Sequence, residues 1–343
     1  MLSHIRTLAA LVTLSAATAF AQQPQFLHAQ LTTATVAHGL NAELDTLKRE
    51  SAPLWVGYSI PIIEKTSSGW YPRISYLEAD RPSYRKEDSV DSGNATYDHA
   101  IVLFRIANHA IEKIHIDNPG RQIDAGNLRV VWLTGVTPGD SVTALKSLSL
   151  GSDTKKLRDN AVFAISIHQS PETLPTLVGL AAPANPLDLR EKAAFWIANR
   201  HSPEGFTALQ NFARNDPDAA FREKIAFDLN VSKDPGAVKE LIRMAHEDTS
   251  PQVRRQAQFW MASKGGKLVA ADLRGLAEND PNTEVRKSAV FALSRLPQDE
   301  ATTQLIQVAG TSKDPAVRKQ AVFWLGQSRD PRALDYLTHL LQQ

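Results

Sequence analysis

Beyond about residue 140, apolar residues recur at a fixed interval of 32. Phenylalanine stands at Phe163, Phe195, Phe227, Phe259, Phe291 and Phe323, and an apolar residue six places earlier at Leu157, Leu189, Phe221, Val253, Val285 and Val317. A leucine ladder, Leu177, Leu209, Leu241, Leu273, Leu305 and Leu337, runs through the other half of each unit. Within one unit, Val317, Ala321, Trp324 and Leu325 share a face at helical spacing, and Gly326 followed by Asp330-Pro331 ends that helix. Leu334, Leu337 and Leu341 then form the stripe of a second helix. Prolines at Pro171, Pro203, Pro235 and Pro331 keep the register; at a helix's first turn the missing N–H costs no hydrogen bond. A single helix pair cannot bury both stripes, so the units must stack into a solenoid. Leu145, in register with Leu177, predicts that Asp140 to Leu150 is a half unit at the start of the stack.

The period changes upstream. Ala29 to Ala37, Pro53 to Ile63, Gly69 to Leu77, Ala100 to Ala107, Ala110 to Asp117 and Leu128 to Gly135 are rich in β-branched and aromatic residues and read as strands of an antiparallel module. Asn108-His109 between two of them reads as a two-residue hairpin turn. Ala79 to Tyr97, dense in charge, has little to bury and reads as an exposed loop. At the start, Met1 to Arg6 is basic, Leu8 to Thr18 is apolar and Ala19-Phe20-Ala21 is a small-x-small cleavage signal, the form of a secretory signal peptide. That apolar run is about half the length of roughly 20 residues that a spanning helix needs. The expected organisation is an α+β two-part chain: a signal peptide over 1–21, a β-rich module over 22–136, and an all-α superhelix of six helix pairs over 137–343. The mature protein is expected in the periplasm or secreted, with no membrane attachment after cleavage.

The run Val317-Arg318-Lys319-Gln320-Ala321 to Leu325-Gly326, then Asp330-Pro331-Arg332-Ala333 and Leu337, resembles the HEAT-type α-solenoid repeat. More narrowly it is similar to the short HEAT-like repeats of phycobilisome lyases. The resemblance covers about 200 residues in six copies. Asn118 to Leu133, with Ile123-Asp124-Ala125-Gly126, is similar to the N-terminal region of uncharacterised secreted bacterial HEAT-repeat proteins, which brings no activity with it.

Composition narrows the chemistry. The chain has 343 residues, 43% hydrophobic and 22% charged, enough to bury a substantial core. It has no cysteine, which removes disulfides, thiolate nucleophiles and zinc ribbons. A net charge of +1 lacks the basic excess of nucleic-acid binders, so none is expected as a partner. Neutrality hides a division: residues 22–140 carry 11 basic and 14 acidic side chains, residues 141–343 carry 26 and 23. HEAT-like deoxyhypusine hydroxylases bind iron through repeated His-Glu pairs, but here only His246-Glu247 occurs, and the neighbouring units hold Arg214-Asn215 and Glu278-Asn279. Gly57-Tyr58-Ser59-Ile60-Pro61 lacks the closing glycine of a nucleophile elbow, and Gly265-Gly266-Lys267 lacks the first glycine of a phosphate loop. His99, His109 and His115 would need to converge to form a site. Trp55, Tyr58, Trp70, Tyr71 and Tyr76 fit core packing better than a sugar platform. No catalytic residue, metal ligand or cofactor is expected.

Three ladders remain. Arg158, Arg190, Arg222, Arg254, Arg286 and Arg318 precede the phenylalanines by five, and Asp216, Asp248 and Asp280 precede three of these arginines by six. The HEAT resemblance implies that such pairs tie turns to helices of neighbouring repeats. Two residues after the core-facing apolar position, about 200° round the helix, stand Asp159, Glu191, Glu223, Arg255, Lys287 and Lys319: three acids, then three bases. Ser166, Ala198, Asn230, Ala262, Ser294 and Gly326 lie seven further on. On a concave helix face this charge order would make a dipolar groove for a protein or peptide; it also fits an ordinary solvated surface. Trp196, Trp260 and Trp324 project close to the core direction and read as packing, and Asp228 in the same slot reads as solvated at a loosened repeat. The function expected is a non-catalytic exported scaffold. The alternatives are an enzyme or carbohydrate-binding activity in the β module, or a lyase-like helper of chromophore attachment.

Overall fold

The computed structural model describes residues 23–67, 71–72, 74–79, 89–90 and 96–342. The expected signal peptide, Trp70 and most of the loop between Ala79 and Tyr97 lie outside them.

The N-terminal strands are β1 (Gln25–Leu27), β2 (Gln30–Thr35), β3 (Leu54–Ser67), β4 (Tyr71–Pro72), β5 (Ile74–Tyr76), β6 (Ser89–Val90), β7 (Thr96–Ala107), β8 (Ala110–Asp117), β9 (Gln122–Asp124) and β10 (Arg129–Thr134). The main sheet has the order β2-β10-β3-β7-β8. The antiparallel expectation holds for β3, β7 and β8, but β10 runs parallel to both β2 and β3. A smaller sheet, β1-β9-β5, is parallel throughout. At the β7–β8 hairpin Asn108 and His109 both have positive φ, 52° and 62°, the backbone a tight two-residue turn requires.

Alternation along β3 builds two cores. Leu54, Val56, Tyr58, Ile60 and Ile62 face a helix, α1 (Leu40–Leu47), and the solenoid; Trp55 faces the small sheet with Leu103, Trp132 and Ile123. The second face closes only on glycine at position 57, where a Cβ would sit 2.7 Å from Leu103 Cδ2 and 3.2 Å from the Trp132 ring.

Thirteen helices follow among the described residues: α2 (Pro138–Gly151), α3 (Lys155–Ile167), α4 (Thr173–Leu180), α5 (Leu187–Asn199), α6 (Pro203–Asn215), α7 (Ala219–Val231), α8 (Ala237–Glu247), α9 (Pro251–Gly265), α10 (Ala270–Asn279), α11 (Thr283–Ser294), α12 (Gln298–Thr311), α13 (Pro315–Gly326) and α14 (Pro331–Leu341). The half unit expected around Leu145 is α2. Prolines occupy the first turn of α6, α9, α13 and α14, and Asp218, Asn282, Asp314 and Asp330 cap helices by accepting backbone N–H groups. Leu177, Leu209, Leu241 and Leu273 are fully buried between units. The stripe is open at α14, where Leu334 and Leu341 are exposed because no described helix covers their side.

A buried polar chain joins sheet to solenoid. His168, which follows α3, places Nδ1 2.6 Å from Ala164 O and Nε2 2.7 Å from Ser141 Oγ, and Ser141 Oγ lies 2.7 Å from Tyr58 Oη. A carbonyl only accepts, so Nδ1 carries the proton and Nε2 accepts from Ser141, whose oxygen accepts from Tyr58. Burial lowers the His168 pKa to about 4, keeping the ring neutral, and raises that of Tyr58.

Candidate functional site

Odd-numbered helices from α3 to α13 carry the arginine, phenylalanine and charge ladders. Successive odd helices pack more closely than successive even ones, so the stack curves with the odd helices on its inner side.

The arginines point between units. Arg222 makes two bonds to Asp248 of the next turn, at 2.8 and 2.9 Å, and donates to Asp216 O of its own turn at 2.8 Å. Arg254 repeats the pattern with Asp280 and Asp248 O. Arg190 reaches Asp216 at 2.5 Å, Arg286 reaches Asp314 at 2.6 Å and Arg158 reaches Asp188 at 2.7 Å. Arg318 keeps only the carbonyl half, donating to Ser312 O. Burial opposes ionisation of Asp248, but the Arg222 hydrogen bonds outweigh it and hold the carboxyl below its ordinary value. These arginines are committed to structure and offer no free anion site.

The phenylalanines and tryptophans form one continuous surface feature. Phe163 packs on Trp196 with centroids 4.9 Å apart, Trp196 on Phe195 at 5.1 Å, and Phe195 stacks on Phe227 at 6.3 Å with planes 3° apart. The order repeats through Trp260, Phe259, Phe291, Trp324 and Phe323. The result is a ribbon of aromatic rings crossing six helices, most of them half-buried and Phe323 53% exposed. The tryptophans are packing, as their projection suggested, but packing at the edge of the core: the Nε1 atoms of Trp196, Trp260 and Trp324 are buried without a hydrogen-bond partner.

Asp228 corrects the sequence reading: it is fully buried rather than solvated. Its Oδ1 bonds Lys224 Nζ at 2.8 Å while Oδ2 has no partner. Lys224 Nζ lies 4.1 Å above the Phe227 ring, a cation–π contact that sets this ion pair inside the ribbon. Burial pushes the Asp228 pKa up to about 7 against the pull of Lys224, and the charge of Glu191 adds to the rise.

Each member of the charge ladder stands four residues before a ribbon phenylalanine and therefore on the same face. Glu191, Glu223, Arg255 and Lys319 make no ion pair among the described residues, whereas Lys287 is held by Glu284 at 3.0 Å. The acidic end is less acidic than the ladder suggests, because Asp159 lies 3.3 Å from Lys192 and 3.8 Å from Lys155. The small residues expected along an open groove divide: Ser166, Ala198 and Ala262 are buried where adjacent helices close up, and Gly326 is exposed.

The histidines of the β module do not converge. His99 pairs with Asp98, His109 bonds Lys48 O, and His115 bonds Ser75 and Asp117. Trp55 and Tyr58 are core residues, whereas Tyr76, at the end of the short strand β5, is exposed. His246 lies 3.6 Å from Asp272 on the surface, and no three His, Asp or Glu side chains come together to hold a metal ion among the described residues.

Residues 270–343 match the family model of HEAT repeats. No curated protein matches the chain. Among solved structures, the chain is similar to Escherichia coli YibA at 20% identity, covering 60% of this chain and 79% of that one, with a TM-score of 0.38. It is similar to human deoxyhypusine hydroxylase, in complex with glycerol, at 15% identity over 60% and 80% of the two chains, TM-score 0.33. The complex of CpcE and CpcF of phycocyanin lyase from Nostoc sp. PCC7120 matches at 19% identity over 61% and 88%, TM-score 0.31.

Proposed function

We propose, taking the helical part as a stack of HEAT repeats, that this chain is an exported scaffold that binds an extended protein or peptide segment along the inner face of the odd-numbered helices, without catalysis. Export rests on the basic start, the short apolar run and Ala19-Phe20-Ala21. The observation that carries the binding role is the aromatic ribbon from Phe163 to Phe323: half-buried rings rigidly stacked in line supply apolar contact area at little cost in side-chain entropy. Unpaired Glu191 and Glu223 toward one end, and Arg255 and Lys319 toward the other, would orient a segment of opposite polarity and raise its on-rate.

A photo-cross-linking amino acid placed at Phe195 or Phe259, and at exposed Lys239 on α8 as the control, tests this in exported protein. A common cross-linked product at both ribbon positions and not at Lys239 is expected, and it should disappear when Arg255, Lys287 and Lys319 are changed to Glu. Equal products at all three positions, or none at the ribbon, would remove the reading.

A further inference from the structure

The cavity where the sheet meets the first two inner helices adjoins the start of the ribbon, sharing Phe163 and Trp196 with it. It measures about 420 Å³, within the range of roughly 300–1,000 Å³ typical of small-molecule sites. Its apolar wall is Ile62 and Ile63 of β3, Ile116 of β8, Phe163 and Ile167 of α3, and Trp196 of α5. Among its polar lining residues is Arg200, one turn beyond Trp196 and so on the same side of that helix end.

Two donors there are unused. Trp196 Nε1 and Arg200 Nε are both buried without a partner, a costly condition for an N–H group. Arg200 donates from Nη1 to Ser166 O at 2.9 Å, capping the end of α3, but no carboxylate pairs with it among the described residues. Burial accordingly lowers its pKa. Lys264, two repeats on, provides an internal comparison. It caps α7 through Asn230 O and Ser232 O at 2.9 and 2.7 Å, and its nitrogen is satisfied. Arg200 differs in having the β module beside it instead of another repeat, and the space left there is the cavity.

Two acids lie in the lining: Asp117 is committed, bonding Arg121 and His115 each at 3.0 Å, and Glu64 of β3 is exposed to solvent. A second depression shares Phe163 and Trp196 and is rimmed by Lys155, Lys156 and Lys192 around Asp159, which pairs with Lys155 and Lys192, so the approach keeps a net positive charge through Lys156.

We propose that this cavity binds a small carboxylic acid with an apolar chain, its carboxylate accepting from Arg200 Nε and Trp196 Nε1 and its chain lying against the isoleucines and Phe163. A guanidinium and an indole N–H on one side, facing aliphatic walls, distinguish such an acid from its neutral analogue, because only the charged head gains charge-assisted bonds.

Calorimetric titration of the full chain with decanoate, and separately with decan-1-ol, tests the assignment. Decanoate should bind at one saturable site about tenfold or more tighter than the alcohol, a ratio set by the charge-assisted bonds. Arg200→Gln should erase that preference while leaving alcohol binding unchanged, Trp196→Phe should weaken acid binding by a smaller factor, and Ile116→Trp should fill the space and abolish both. If Arg200 merely caps α3, Arg200→Gln will lower the melting temperature and leave the acid-to-alcohol ratio as it was, which overturns the proposal. Should Arg200→Gln fail to fold, the proposal still falls if the unaltered chain binds acid and alcohol alike or neither, or if Ile116→Trp leaves acid binding intact. Cross-linking along the ribbon is a separate readout, so either proposal can fail without the other.

Discussion

Ser141 accepts a hydrogen bond from Tyr58 and donates one to His168, so one hydroxyl ties the sheet to α2 and to the end of α3. Ser141→Ala would leave a buried phenol and a buried imidazole nitrogen unpaired, a loss of about 2 kcal/mol by the usual cost of such groups, measurable by urea unfolding; an unchanged midpoint would show that the chain is not held as described. His168 and Asp228 then act on stability in opposite directions with pH. His168 is lowered from 6.5 to about 4, so the stability that depends on its neutral form is complete above 6.5 and is lost as pH falls toward 4. Asp228 is raised from 3.8 to about 7: between those values the unfolded carboxyl ionises while the folded one stays protonated, so stability is lost as pH rises through that window. Asp228→Asn should therefore gain stability relative to the unaltered protein between pH 4.5 and pH 7, read from melting temperatures at several pH values, and a constant difference would mean that Asp228 does not titrate there. Sequence alone placed Asp228 in the right slot and gave the wrong environment, because a helical projection marks direction but not how closely the next unit approaches.

At the scale of elements, the Arg–Asp pairs hold one turn to the next. Arg222→Ala leaves the Asp248 carboxylate buried and unpaired and should cost about 3 kcal/mol or more, since broken buried ion pairs typically cost about 3–5 kcal/mol. The double change Arg222→Ala/Asp248→Ala should cost less than the sum of the two single changes, and strict additivity in unfolding free energy would rule out the pairing. Helix pairs were legible because their signal is local and was repeated six times. Six strands were likewise placed by composition, but β1 and β9, only three residues long, went unseen, as did the two-residue β6, which pairs with β4 from within the segment expected to be a loop. The helix α1 had a signal that went unread: Leu40, Leu44 and Leu47 fall at helical spacing and are all buried. Parallel pairing of β2 with β10 joins residues about 100 apart, Leu31 with Val130 for example, and no local period reports it.

For the whole molecule, one apolar core runs from the sheet face of β3 through α1 and α2 into the stack. Residues 138–343 prepared alone should give a strongly helical circular dichroism spectrum but melt below the full chain, because Val142, Leu145 and Ile165 lose their cover; equal melting temperatures would show that the two parts do not stabilise each other. The 32-residue period determined by itself that this region is a stack of helix pairs, which residues face its interior, and that rings and charges recur along one line of helices. Those follow from the geometry of a single helix, which fixes the angle between positions in one unit and so in all of them. Only the tertiary structure decided that the rings of successive units touch, that Asp228 is shut in with Lys224, and that Trp196 and Arg200 border a cavity with unused donors. These depend on the distance and angle between elements far apart in the chain, which packing sets and no residue spacing encodes.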